Sequence, residues 1–222
     1  MMQDRQTSII IGLAVTFGLL TAAAVAYVLV LIADAGRGAM AFKNPSGSMA
    51  PTILAGDYIT ARRLPGVAKN PRLIGRGEII LHQWPADTTR QFMKRAVGLP
   101  GDTIAMKQGI VWINGKPLHE AYTLRTDSVD PVTDDFRWQR AYLVGNASRD
   151  TAHYVASRSN WGPLLVPPDH FFVLGDNRDN SLDSRYFGFV TAHQVLGRVR
   201  RVYFSGDTLT GIRWSRIGLL LQ

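Results

Sequence analysis

Ile110-Val111-Trp112-Ile113-Asn114-Gly115-Lys116-Pro117-Leu118 reads as a strand, a two-residue turn and a returning strand. Asn114 and Gly115 both tolerate the positive φ that a tight hairpin requires, and the four residues before them are branched or aromatic. Similar short segments recur between turn signals elsewhere in the chain: Tyr58-Ile59-Thr60-Ala61, Glu78-Ile79-Ile80-Leu81, Thr103-Ile104-Ala105-Met106, His170-Phe171-Phe172-Val173-Leu174 and Arg200-Arg201-Val202-Tyr203-Phe204. No long amphipathic helical pattern interrupts them. The spacing therefore predicts a mainly β, β-rich domain over residues 35–222.

Within that domain the composition turns polar from about residue 120 to 160, with Asp127, Asp130, Asp134, Asp135 and several serines. The stretch predicts an inserted β-ribbon or loop region, bounded at about 116–165. Residues 34–43 read as a short tether, because Gly36 and Gly38 oppose a clean helical continuation. There are no internal repeats.

Residues 9–33 carry no charge. About 25 residues at roughly 1.5 Å each exceed a hydrocarbon core of about 30 Å, so residues 1–34 are expected to hold a single N-terminal transmembrane helix. A cleaved secretory signal is the rival reading, given the small Ala23, Ala24 and Ala26. The run exceeds the roughly 7–15 apolar residues of such signals, which favours an uncleaved anchor. Arg5 lies on one side of it and Arg37 and Lys43 on the other, so charge bias leaves the orientation open.

The 222 residues include no cysteine, which excludes disulfides and thiolate metal sites. Five scattered histidines show no paired helical spacing, so neither a metal nor a cofactor is expected. The net charge of +8 admits nucleic acid or anionic lipid as a partner. No nucleic-acid motif accompanies it, whereas Arg198, Arg200, Arg201, Arg213 and Arg216 cluster towards the end. Each basic residue near an anionic bilayer gains about 1 kcal/mol, so lipid is the expected partner and a solvated basic face the bland alternative.

Three segments carry chemistry. The first, Pro45-Ser46-Gly47-Ser48-Met49-Ala50-Pro51-Thr52, sets Ser48 in a turn whose amides, with the Ser46 hydroxyl, suit an oxyanion site. A serine hydroxyl needs a proton acceptor, and no histidine stands in a comparable motif. Lys94, in the second segment Phe92-Met93-Lys94-Arg95-Ala96-Val97-Gly98-Leu99-Pro100-Gly101-Asp102, supplies one if burial strips its charge. Strand alternation sends Lys94 and Phe92 to one face and Met93 to the other. The third segment, Gly175-Asp176-Asn177-Arg178-Asp179-Asn180-Ser181-Leu182-Asp183-Ser184-Arg185, follows a strand and is dense enough in polar groups to build a bonded loop. It lacks the closing glutamate of an EF-hand.

Together the three segments resemble the boxes of bacterial type I signal peptidase, the serine-lysine endopeptidase that removes N-terminal signal peptides from exported preproteins. The resemblance implies that Ser48 is the nucleophile and Lys94 the general base, with Ser46 and the Ser48 amide holding the oxyanion. It implies that Ser181 orients Lys94, that Asp183 and Arg185 support the site, and that Arg95 pairs with Asp176. Phe42, Asn44, Met49, Ile53, Ile59 and Met93 match positions lining the substrate pockets, where small residues one and three places before the cut are accepted. Asn44 departs from an apolar pattern, which puts cleavage-site preference in question. With one span, the family's external active site implies a cytoplasmic amino terminus and a single-pass protein of the bacterial inner membrane. The alternatives are a specialised peptidase for a pilin or single precursor and a non-catalytic membrane-anchored binding module.

Overall fold

The computed structural model of the chain describes residues 2–36, 38–126, 130, 132–145, 147, 150–207 and 211–221, with the side chains of 2–8, 31 and 34–36 excepted. Arg37 and Asp127 of the sequence reading, and the Arg5 side chain, lie outside the described residues. By its contacts the chain divides into two units, Met1–Met40 and Ala41–Gln222.

Helix α1, Met2–Gly36, contains a stretch, Ile9–Val30, of mean hydropathy 2.4 that is long and apolar enough to cross a membrane. Ile9, Leu13, Phe17, Leu20 and Leu29 are all exposed, the reverse of a soluble core helix. Thr16 and Thr21 donate their hydroxyls back to the carbonyls of Gly12 and Phe17 at 2.6 and 2.9 Å, so neither leaves a polar hydrogen unpaired on that apolar surface. The helix runs through Gly36, and Ala39–Lys43 forms strand β1, so the expected tether is mostly regular structure. Helical hydrogen bonding outweighs the propensity cost of one glycine, about 1 kcal/mol.

The strands that follow are β2 (Asp57–Arg63), β3 (Ile79–Trp84), β4 (Asp87–Gly98), β5 (Thr103–Lys107), β6 (Ile110–Ile113), β7 (Lys116–Pro117), β8 (Trp161–Leu165) and β9 (His170–Leu174). A short helix α2 (Ser184–Phe187) precedes β10 (Val190–Thr191), β11 (Val195–Asp207) and β12 (Gly211–Ile212). The larger sheet has the order β1-β2-β11-β3-β4-β9-β10, with β12 on β11; the smaller has the order β7-β6-β5-β8. The β6–β7 turn holds Asn114 at φ 50° and Gly115 at φ 79°, the left-handed backbone its sequence anticipates.

Strand β9 shows why its sequence is apolar at successive positions. Phe172 and Leu174 pack with Val97, Ile104, Val111 and Trp161 in a core shared by the two sheets, while Phe171 and Val173 pack with Ile80, Ala96 and Val190 on the opposite face. The polar stretch contributes to the first of these cores through Phe136, Leu143 and Ala156. It contains a 3-10 segment, Asp134–Tyr142, capped by the Thr133 hydroxyl, and isolated bridges such as Leu143 with Leu164. Among the described residues it forms no ribbon of its own between β7 and β8.

Candidate active site

Strand β4 carries Lys94 between Ile80 of β3 on one side and the β9 edge on the other. Its ammonium nitrogen lies 5.4 Å from the centre of the Phe92 ring, two residues away on the same face. His82, paired with Phe92 across β3 and β4, adds a second ring to that region. His82 is buried, and burial above all pushes its pKa down to about 4; the nearby Lys94 charge lowers it further while its bond to the Gln83 carbonyl opposes the shift. The Phe92 ring offers the ammonium a weak cation–π contact, and the neutral imidazole adds no opposite charge.

The turn after β1 brings Ser48 to this face. Ala50 N–H donates to Gly47 O at 3.0 Å and Ile53 N–H to Met49 O at 2.9 Å, which coils the turn tightly around the serine. Lys94 Nζ stands 2.9 Å from Ser48 Oγ and donates also to the Met93 carbonyl at 3.1 Å. Ser48 is 8 % exposed and Lys94 4 %. Burial pulls the Lys94 pKa from 10.5 down to about 8; Asp183 and Asp176 oppose the shift, and Arg185 reinforces it. At pH 7 such an amine is neutral in about a tenth of molecules, against roughly one in several thousand for a free lysine. When neutral it has a lone pair able to receive a proton from Ser48 Oγ across the same contact.

The third segment grips both partners. Asn177 N–H donates to Ser48 O at 3.1 Å, and its side-chain amide to Gly47 O at 3.2 Å. Asp176 receives Arg95 Nε and Nη2 at 2.8 and 2.6 Å and the Thr52 hydroxyl at 2.5 Å, joining the end of the serine turn to β4. Asp183 receives Arg185 Nε and Nη2 at 2.8 and 2.9 Å, with Gly175 N–H at 3.1 Å. Burial would raise the Asp183 pKa, but the Arg185 charge and these bonds hold it below the usual carboxylate value.

A serine and a desolvated lysine in contact, with a buried acid-base network behind them, equip the site for acyl transfer. A family profile described as "Signal peptidase, peptidase S26" matches residues 14–204, most of the chain. The chain belongs to this signal peptidase family. It is 30% identical over 232 residues to a signal peptidase I of Buchnera aphidicola subsp. Acyrthosiphon pisum, covering 80% of this chain and 73% of that protein. It is 37% identical over 153 residues to a signal peptidase I of Bacillus caldolyticus, covering 68% and 72%. A crystal structure of a signal peptidase I from Enterococcus faecalis V583 aligns at 30% identity and a TM-score of 0.38, over 56% of this chain and 95% of that one. Membership makes the protein a hydrolase, a serine endopeptidase of the signal peptidase I type.

The other residues that the sequence suggests for the site differ in burial and bonding. Ser46 is exposed, and its Oγ accepts the Ser48 N–H at 3.1 Å. Ser181 is buried, and its Oγ makes no hydrogen bond to Lys94 or to any other described group. Its closeness is of another kind: a Cβ on Gly175 would meet Ser181 Oγ at 2.2 Å and Ser48 O at 2.5 Å, so only glycine fits there. Of the six pocket residues, Phe42 and Met93 are half-buried. Met49, Ile53 and Ile59 are at most 1 % exposed and belong to the core, and Asn44 is buried with its amide turned into the serine turn.

Glu120 and Tyr122 were legible in the sequence only as the edge of a polar insertion, yet both brace the loop that follows β9. Arg178 Nη1 and Nη2 donate to the two Glu120 oxygens at 3.0 and 2.7 Å, and Tyr122 adds its hydroxyl to Glu120 at 2.7 Å. The Tyr122 ring lies 3.8 Å beneath the Arg95 guanidinium. Leu124 N–H donates to Asp176 O and Arg178 N–H to Leu124 O, a parallel bridge that fixes the loop's edge. Glu120 and Arg178 are 58 residues apart, and no local pattern connects them.

Proposed function

We propose that this signal peptidase is a membrane-anchored enzyme that removes N-terminal signal peptides from exported preproteins with a Ser48–Lys94 dyad. The observation that carries the reading is the 2.9 Å contact between Ser48 Oγ and a buried Lys94 whose pKa is about 8. Neutral Lys94 takes the Ser48 proton as Oγ attacks the scissile carbonyl carbon. The oxyanion takes the Ser48 N–H and the Ser46 hydroxyl, which now bond each other and would turn to the incoming oxygen. Lys94 then protonates the departing amine, and in the second half it deprotonates the water that releases the acyl group and restores Ser48. Ser181 packs against the loop glycine, and Asp183 and Arg185 hold the field around the lysine.

Residues 1–34 serve as the anchor and the β-rich remainder as the catalytic part. We place the amino terminus in the cytoplasm and the site on the outer face of the bacterial inner membrane, beside signal peptides whose apolar cores lie in the same bilayer. Tethering enzyme and substrate to one membrane raises their effective concentration without new contacts. The test is cleavage of a precursor carrying an Ala-X-Ala site by the full chain in lipid vesicles. Wild type should release the mature protein, while Ser48→Ala and Lys94→Ala should lose more than about 10³-fold in rate, a scale set by other nucleophile-base pairs. Near-normal cleavage by either variant overturns the dyad.

A further inference from the structure

Asn44 spends its whole side chain on the turn that presents Ser48. Its two Nδ2 hydrogens go to Ser46 O at 2.7 Å and Leu54 O at 2.9 Å, and its Oδ1 accepts the Ser46 N–H at 3.3 Å. Its own backbone is pinned as well: Asn44 N–H donates to Asp57 O at 2.7 Å, and Gly56 N–H to Asn44 O at 2.8 Å. Asp57, at the start of β2, is buried and held by Arg216 and Ser205, so the anchor beneath Asn44 is rigid.

Ser46 itself is exposed, and among the described residues no other hydrogen bond engages its main chain. One buried carboxamide therefore fixes both the N–H and the C=O of the residue whose hydroxyl sits 3.1 Å from the Ser48 amide. We infer that Asn44 is a positioning residue, acting through Ser46 to hold the oxyanion donors in register, and that it does not select the residues of the cleavage site. The inference rests on the Ser48–Lys94 mechanism proposed above. A donor displaced from the oxyanion loses much of the hundredfold or greater effect that such donors exert, while substrate contacts elsewhere are untouched.

Asn44→Leu keeps the approximate volume and removes all three side-chain bonds; Asn44→Asp keeps the acceptor and sets a carboxylate against two carbonyls. With the full chain in vesicles and a precursor panel varied one and three residues before the cut, both variants are expected to lose about tenfold to a hundredfold in kcat. KM should stay within about threefold, the order of preference should be unchanged, and the pH profile should keep its midpoint, because Lys94 is not touched. Rates are normalised to folded enzyme by circular dichroism, and Asn44→Ala replaces Asn44→Leu if the latter does not fold. The decisive readout is coupling: in a Ser46→Ala background the Asn44 substitution should cost less than about twofold, since the group it positions is gone. An equal loss in both backgrounds, full retention of kcat, or a changed preference at full rate overturns the inference. Ser48→Ala in the same assay separates the two levels: activity there removes the serine mechanism and this inference together, whereas an inactive Ser48→Ala beside additive losses removes the inference alone.

Discussion

Between pH 6 and pH 9 cleavage is expected to rise through an apparent pKa near 8, because the proposed base, Lys94, can take a proton only when neutral. From the Henderson–Hasselbalch relation the neutral fraction grows about fiftyfold between pH 6 and pH 8, so kcat/KM on a single precursor should follow that curve. The same depressed pKa makes a stability prediction with a definite sign. Between about 8 and 10.5 the unfolded chain still holds the proton that the folded chain has lost, so stability increases with pH through that window. Below it the folded state bears the full cost of a buried charge, about 3 kcal/mol for a pKa difference of this size. Lys94→Met removes the charge and keeps an unbranched chain, at the loss of bonds to Ser48 and Met93 worth about 1 kcal/mol each. The inactive variant should therefore be more stable than wild type at pH 7 by about 1 kcal/mol, a gain of roughly 2–4 °C in Tm, and should lose that advantage above pH 10. Thermal melts of both proteins in one detergent at pH 7 and pH 10.5 measure it. A rate profile flat from pH 6 to 9 or with a midpoint near 10.4, or a Lys94→Met protein less stable at pH 7 than at pH 10.5 relative to wild type, would refute the buried-base argument.

Two further substitutions probe the loop behind the dyad. Gly175→Ala forces a methyl to within 2.2 Å of Ser181 Oγ and 2.5 Å of Ser48 O, so kcat should fall at least about a hundredfold as the serine carbonyl is pushed from Asn177; single-turnover cleavage measures it. Glu120→Ala leaves the buried Arg178 guanidinium without its carboxylate and should cost about 3–5 kcal/mol, read as a fall in Tm, whereas Glu120→Gln keeps an acceptor and should cost less.

Much of the site was legible because its chemistry is local. Ser48 in a glycine-containing turn, Lys94 among apolar neighbours and the polar loop after β9 each occupy a few consecutive residues, and strand alternation alone puts Lys94 with Phe92. The hairpin at Asn114-Gly115 and the apolar run of α1 are local in the same sense, since φ preference and hydropathy belong to the residues themselves. Four strands lack that local signal: β1 has no branched residue, β8 contains glycine and proline, β10 and β12 have two residues each, and all exist because partner strands satisfy their backbone groups.

Local sequence thus specifies the kind of parts: an apolar helix, a mainly β body, a serine, a lysine and a loop to join them. Their mutual arrangement comes from long-range packing. The Lys94 pKa depends on the burial of one nitrogen, Arg178 finds Glu120 across 58 residues, and the Asn44 amide bonds the Ser46 carbonyl. Desolvation and buried hydrogen bonds are properties of what surrounds an atom, and those surroundings come from segments that lie far apart along the chain.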